Sequence, residues 1–131
     1  MKIAAVTDIH GDVRKLAEVG PALAEVDIVL MCGDITNFGD YSEARNIISE
    51  FRVYNSNILA VPGNCDPSDA ARYLIEENIC LDSCCKIVDG IVFAGVGGSL
   101  PCPGRTPNEI FENDFTDRLE KALQSCANSS L

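Results

Sequence analysis

The sequence predicts an α/β fold built on a mostly parallel sheet. Short apolar runs alternate with stretches of helical periodicity, which implies βαβ units. Each of the first three runs also ends in polar residues and glycine, and the carboxyl ends of parallel strands are where such sheets carry their functional loops. Ile3-Ala4-Ala5-Val6, closed by Thr7-Asp8, reads as the first strand. Residues 12–25 read as a helix through Val13, Leu16, Val19 (or Gly20) and Leu23, which Pro21 should kink or restart. Residues 27–32 form the second strand, stopped by Gly33-Asp34. Ala44, Ile47, Ile48 and Phe51 mark a helix over 41–54, with Ser42 as its N-cap. Ile58-Leu59-Ala60-Val61 is the third strand, stopped by Pro62-Gly63-Asn64. A third helix runs over 67–78, with Pro67 at its first position. Asp89-Gly90 between the apolar runs 86–88 and 91–94 signals a tight hairpin. A loop rich in Gly and Pro follows over 95–104. Residues 109–126 then read as an amphipathic helix through Ile110, Phe115, Leu119 and Leu123, and 127–131 as a frayed tail.

Composition bounds the rest. A chain of 131 residues and 14.1 kDa supports one core and not two. With 47% hydrophobic residues it is not a disordered chain. No apolar run approaches the ~20 residues that span a bilayer, so no membrane role is expected. The first apolar run stops at Asp8 and reads as a strand, not a signal peptide. The net charge of −10 repels phosphate backbones and argues against non-specific nucleic-acid binding, while suiting a site that collects divalent cations. The odd count of 7 cysteines fits a reducing cytoplasm better than a disulfide framework. Cys80, Cys84 and Cys85 lack a second ligand pair for zinc and read as small buried hydrophobes.

The chemistry lies in three blocks, Asp8-Ile9-His10, Gly33-Asp34 and Gly63-Asn64-Cys65-Asp66. Asp8 and His10 are two apart and project on one side of extended chain. Their mix of oxygen and nitrogen suits Mn²⁺, Fe or Zn²⁺ more than Mg²⁺. Asp34 has two oxygens and can bridge two cations, and Asn64 adds a neutral carbonyl oxygen. Gly33 and Gly63 let the backbone turn before each ligand. Each block alone is a weak signal. Three in order, each after an apolar strand, define a metal site.

These blocks resemble the calcineurin-like metallophosphoesterase superfamily, whose pattern runs D-x-H, G-D, G-N-H-[ED], then further histidines. The loop from Gly97 to Pro107 also looks like one from archaeal members. The resemblance implies a four-layer αββα sandwich with two metals, Mn²⁺ first and Fe, Zn²⁺ or Ni²⁺ as alternatives. Asp8 and His10 would bind the first metal, Asp34 both, and Asn64 the second. A hydroxide bridging two metals about 3.5–4 Å apart would attack phosphorus in a phosphodiester. Asn64, Cys65 and Asp66 are the catalytic candidates, and the substrate is a small-molecule or nucleotide-like phosphoester. Cys65 stands where the commoner motif has His, and a thiol is the poorer proton donor. The Gly-Asn-Cys-Asp variant recurs in a small-phosphodiesterase subgroup. Asp66 has a second reading, as the cap of the helix beginning at Pro67.

The family's later histidines are absent, because His10 is the single histidine. The chain is therefore expected to be the N-terminal portion of one metallophosphoesterase domain over 1–131. One side of the sandwich would lack strands, leaving apolar surface that a homo-oligomer or a partner would cover. A non-catalytic protein-binding scaffold with the same fold is the alternative reading. Gly95-x-Gly97-Gly98 does not match a dinucleotide loop. Ser99 and Arg105 read first as loop residues, with phosphate contact as a second reading.

Overall fold

The computed structural model describes residues 1–128. Its elements are β1 (Ile3–Val6), α1 (Leu16–Ala24), β2 (Ile28–Cys32), α2 (Tyr41–Arg52), β3 (Ile58–Val61), α3 (Ser68–Glu76), β4 (Cys84–Val88), β5 (Ile91–Gly95) and α4 (Glu112–Ala127). Strands β1, β2 and β3 form a parallel sheet in that order. Strands β4 and β5 form a separate antiparallel hairpin. The expected α/β class therefore holds.

Four layers result. Helices α1–α3 cover one face of the sheet, where Leu16, Leu23, Ile47, Ile48, Phe51 and Leu74 close over Val29, Met31, Ile58 and Ala60. Burying a side chain of this size contributes about 1.5–3 kcal/mol. On the other face, Ile28, Leu59 and Leu81 pack against Phe93 of the hairpin. Helix α4 lies on the hairpin as the outermost layer. The hairpin covers only part of this second face. Toward β1 the strand residues Ile3 and Ala5 are exposed, as is Cys32. An apolar groove of about 160 Å³ runs along Leu30, Cys32, Val61, Phe93 and Val96.

The local chemistry explains most element boundaries. Asp89 and Gly90 both take positive φ (50° and 79°), which a two-residue turn matching the strand twist requires. Helix α1 starts later than expected because Asp12 folds the preceding chain into a turn, accepting from the Arg14 N–H at 3.1 Å. Contrary to expectation, α1 continues through Pro21 as one helix. The cap of α2 is Asp40 and not Ser42. The Asp40 backbone is extended, and its carboxylate accepts the Glu43 N–H at 2.9 Å. Pro67 immediately precedes α3 in extended conformation. The Asn128 end of the expected tail closes α4, while residues 129–131 lie outside the described residues.

Two expectations fail in α4. Its predicted buried stripe faces outward, with Phe115, Leu119 and Leu123 at 42%, 39% and 53% exposure. Small residues bring a different face onto the hairpin. Ala122 is fully buried, and the Ser125 hydroxyl accepts the Cys85 N–H at 3.1 Å. Cys85 and Cys126 are also joined as a disulfide, where packing thiols were expected. The chain fold sets their Cα atoms 5.7 Å apart, within bridging reach. Cys32, Cys65, Cys80, Cys84 and Cys102 are free. Alkylation of unreduced, denatured protein is accordingly expected to modify these five and spare Cys85 and Cys126. Modification of all seven, read by mass, would contradict the pairing.

Candidate metal centre

The three strand-end loops are stitched side by side at the carboxyl edge of the sheet. The N–H groups of Asp8, His10 and Gly11 donate to the carbonyls of Gly33, Asp34 and Ile35 at 3.3, 2.8 and 2.9 Å. The third loop joins when the Cys65 N–H donates to Asp34 Oδ1 at 3.0 Å. Asp8, His10 and Asp34 all take left-handed backbone, with φ of 55°, 48° and 51°. L-residues adopt this region at a cost, and such strain concentrates at functional sites.

Glycine makes the close approach possible. Gly33 has φ +94°, and a Cβ on it would come within 2.9 Å of the Gly63 Cα. Gly63 serves by having no side chain, because a Cβ there would meet the Asp34 N and Oδ1 at 2.1 Å. Gly63→Ala is therefore expected to displace Asp34 and weaken divalent-cation binding. Unchanged Mn²⁺ affinity by calorimetry would show that Asp34 tolerates the shift.

The side chains converge in part. One ligand atom each from His10, Asp34 and Cys65 lies within 4.8 Å of the others. His10 Nε2 is 3.7 Å from Asp34 Oδ2 and 3.5 Å from Asp8 Oδ1. Asp8 stands at the exposed edge, and its other oxygen accepts the Thr7 hydroxyl at 2.8 Å. The Asn64 amide NH₂ donates to Thr106 Oγ1 at 3.2 Å, which leaves its carbonyl oxygen as the atom to offer a cation. Burial pushes the Cys65 thiol up from its usual pKa, and the carboxylates of Asp34 and Asp66 act in the same direction. This donor set, two carboxylates, an imidazole, an amide oxygen and a thiol, fits a divalent cation.

Asp66 does different work from its neighbours. It is 2% exposed and takes four donors: the N–H groups of Ile35, Thr36 and Gly63 and the Thr36 hydroxyl, at 2.7–3.0 Å. It does not cap α3, which has no side-chain cap. Its carboxylate clamps the second loop to the third.

Sequence reasoning passed over a supporting group in the long loop. One Glu109 oxygen accepts from the Cys102 N–H and thiol and from the Thr106 N–H and hydroxyl, at 2.8–3.2 Å. These bonds, the Cys102 thiol's first, lower the Glu109 pKa. Asn108 donates to the carbonyls of Asn64 and Gly63, at 3.0 and 3.1 Å. The loop 97–110 thus braces Asn64 from outside. Ser99 turns its hydroxyl to the Leu100 carbonyl, and Arg105 is exposed. A cleft of about 450 Å³ opens beside Asp8 along Ile9, Asp12, Arg14 and Lys15. Arg14 holds Asp12 down to a pKa of about 2 there.

This chain belongs to the calcineurin-like phosphoesterase family, which matches it over residues 1–125. The family is one of metal-dependent phosphoesterases using divalent cations. Over 132 residues the chain is 34% identical to an uncharacterized protein, MJ1162, from Methanocaldococcus jannaschii. That alignment takes in 98% of this chain and 57% of the relative, so the chain spans little more than half the relative's length. Among the described residues no helix is long and apolar enough to cross a membrane.

Proposed function

We propose that residues 1–131 are the N-terminal portion of a single metallophosphoesterase domain that hydrolyses small-molecule or nucleotide-like phosphodiesters. The observation that carries this reading is the convergence of three left-handed loop residues, Asp8, His10 and Asp34, at the carboxyl edge of the sheet. Asp8 and His10 would hold one divalent cation, Asn64 a second, and Asp34 both, with Mn²⁺ ahead of Fe, Zn²⁺ and Ni²⁺. Cations there supply Lewis-acid polarisation of the phosphoryl group and of water.

The chain's own residues do the rest. Lys15 lines the adjoining cleft and offers its ammonium to an approaching phosphoester, whereas the Arg14 guanidinium is already paired with Asp12. Thr106 orients Asn64 through its NH₂. Asp66, which the sequence offered as a catalytic candidate, is closed in by four donors and acts as a positioning residue. Cys65 is 9% exposed, and a thiol is a weak donor, so substrates with good leaving groups are favoured.

Mn²⁺-dependent hydrolysis of an activated aryl phosphodiester tests the reading. Turnover above a metal-only blank is expected. No turnover by folded, cation-loaded protein would assign the chain to the second reading, a protein-binding scaffold. That reading draws on the exposed row Phe111, Phe115, Leu119 and Leu123 and on the uncovered sheet face, surfaces that a partner or a second copy would bury.

A further inference from the structure

The ligand set proposed above leaves one donor unused. The Cys65 sulfur belongs to the cluster in which His10, Asp34 and Cys65 each place a ligand atom within 4.8 Å of the others. The three residues come from three different strand ends, so their meeting is a product of the whole sheet and not of local sequence. Backbone bonds fix the cysteine in place. Its N–H donates to Asp34 Oδ1 at 3.0 Å, and its carbonyl accepts the Phe38 N–H at 3.2 Å.

We propose that Cys65 is itself a metal ligand, completing with His10 and Asp34 a sulfur–nitrogen–oxygen triad that shifts the site toward Zn²⁺ from the Mn²⁺-first order of its oxygen and nitrogen ligands alone. The inference rests on reading the strand-end loops as a cation site. Around a tetrahedral ion with bonds of about 2.0–2.3 Å, ligand atoms lie roughly 3.3–3.8 Å apart. His10 Nε2 and Asp34 Oδ2, at 3.7 Å, already have that spacing. The sulfur, at about 3.5 Å from nitrogen or oxygen around such an ion, has to close by about 1.3 Å at most, within the reach of a χ1 adjustment. Asp8, the other carboxylate proposed for the His10 cation, would take the fourth tetrahedral position, so water or a phosphoryl oxygen would enter as a fifth ligand, an expansion that zinc sites allow. Oxygen-rich sites suit Mn²⁺ and Mg²⁺, and an added thiolate moves the preference toward Zn²⁺. The sulfur binds as thiolate, so the thiol proton leaves to solvent as the metal enters. The neighbouring Cys102 is otherwise engaged, its thiol donating to Glu109 Oε1 at 2.8 Å.

Titration of the purified chain with Co²⁺, followed by absorption, tests this, with Mn²⁺ calorimetry in parallel. A near-ultraviolet sulfur-to-cobalt charge-transfer band is expected. Cys65→Ser should abolish the band and weaken Zn²⁺ binding by at least about tenfold while changing Mn²⁺ affinity far less. Cys102→Ser should keep the band. Co²⁺ binding without the band, or a band that survives Cys65→Ser, would overturn the inference and make Cys65 a packing residue. The oxygen and nitrogen ligands of the proposed function would still stand in that case. Failure of the folded chain to bind either cation would overturn both readings together.

Discussion

Asp34→Asn is expected to abolish divalent-cation binding and phosphoesterase turnover while leaving the fold in place. The side chain is 14% exposed and sits at the meeting point of the loops, with one oxygen 3.7 Å from His10 and the other accepting from Cys65. The amide keeps the shape and a carbonyl oxygen for the Cys65 N–H, so folding stability should change by only about 1 kcal/mol or less. What it removes is the negative charge and one of the two oxygens able to face a cation. Loss of a tuned metal-site group typically costs 10–100-fold in affinity, and loss of the shared ligand itself should cost at least about that much. Mn²⁺ calorimetry and thermal unfolding of the same sample check both halves. An affinity equal to that of the unmodified chain would remove Asp34 from the site.

The second large effect is expected at Asp66, and it takes the opposite form. Asp66→Asn turns one acceptor oxygen into an NH₂ group. Each carboxylate oxygen of Asp66 receives two donors, so either amide orientation faces donors with donors. Two charge-assisted hydrogen bonds of about 1.5–3 kcal/mol each are lost in a buried position, giving a destabilisation of about 3–6 kcal/mol. That is a large part of the roughly 5–15 kcal/mol that stabilises a domain. The thermal midpoint should fall by roughly 10–20 °C. Cation affinity should fall as well, because the loop carrying Asp34 loses its clamp. A variant with a normal midpoint and lost turnover would instead make Asp66 a catalytic residue.

The contrast between these two acids marks where the sequence stops being legible. Asp8, His10, Asp34 and Asn64 could be picked out because each follows an apolar strand, and parallel strands bring their ends together. Asp66 lies one residue beyond Cys65, yet nothing in its spacing reveals four donors supplied by two loops. The bracing by Thr106 is less legible still. It acts on Asn64 from 42 residues away, through a loop with no period to read.

The fold divides in the same way. The strands and the Asp89-Gly90 hairpin follow from local signals, apolar runs and a turn that needs positive φ. Helix α4 was legible as a helix but not in its orientation. Periodicity marks an apolar stripe without saying which face meets a neighbour. Here the small Ala122 and the Cys85–Cys126 bridge decide the contact, leaving Phe115, Leu119 and Leu123 outside. An odd cysteine count likewise argued against disulfides, and only the folded chain places residues 41 apart within bridging distance.

On this reading three strand-end loops together form a divalent-cation site. Calorimetric titration of the unmodified 131-residue chain with Mn²⁺ tests it most directly, because binding depends on the converged loops and not on a choice of substrate. Saturable binding that Asp34→Asn abolishes is expected. A folded chain that gives no heat above dilution would contradict it and leave the loops as a structural feature of the sheet edge.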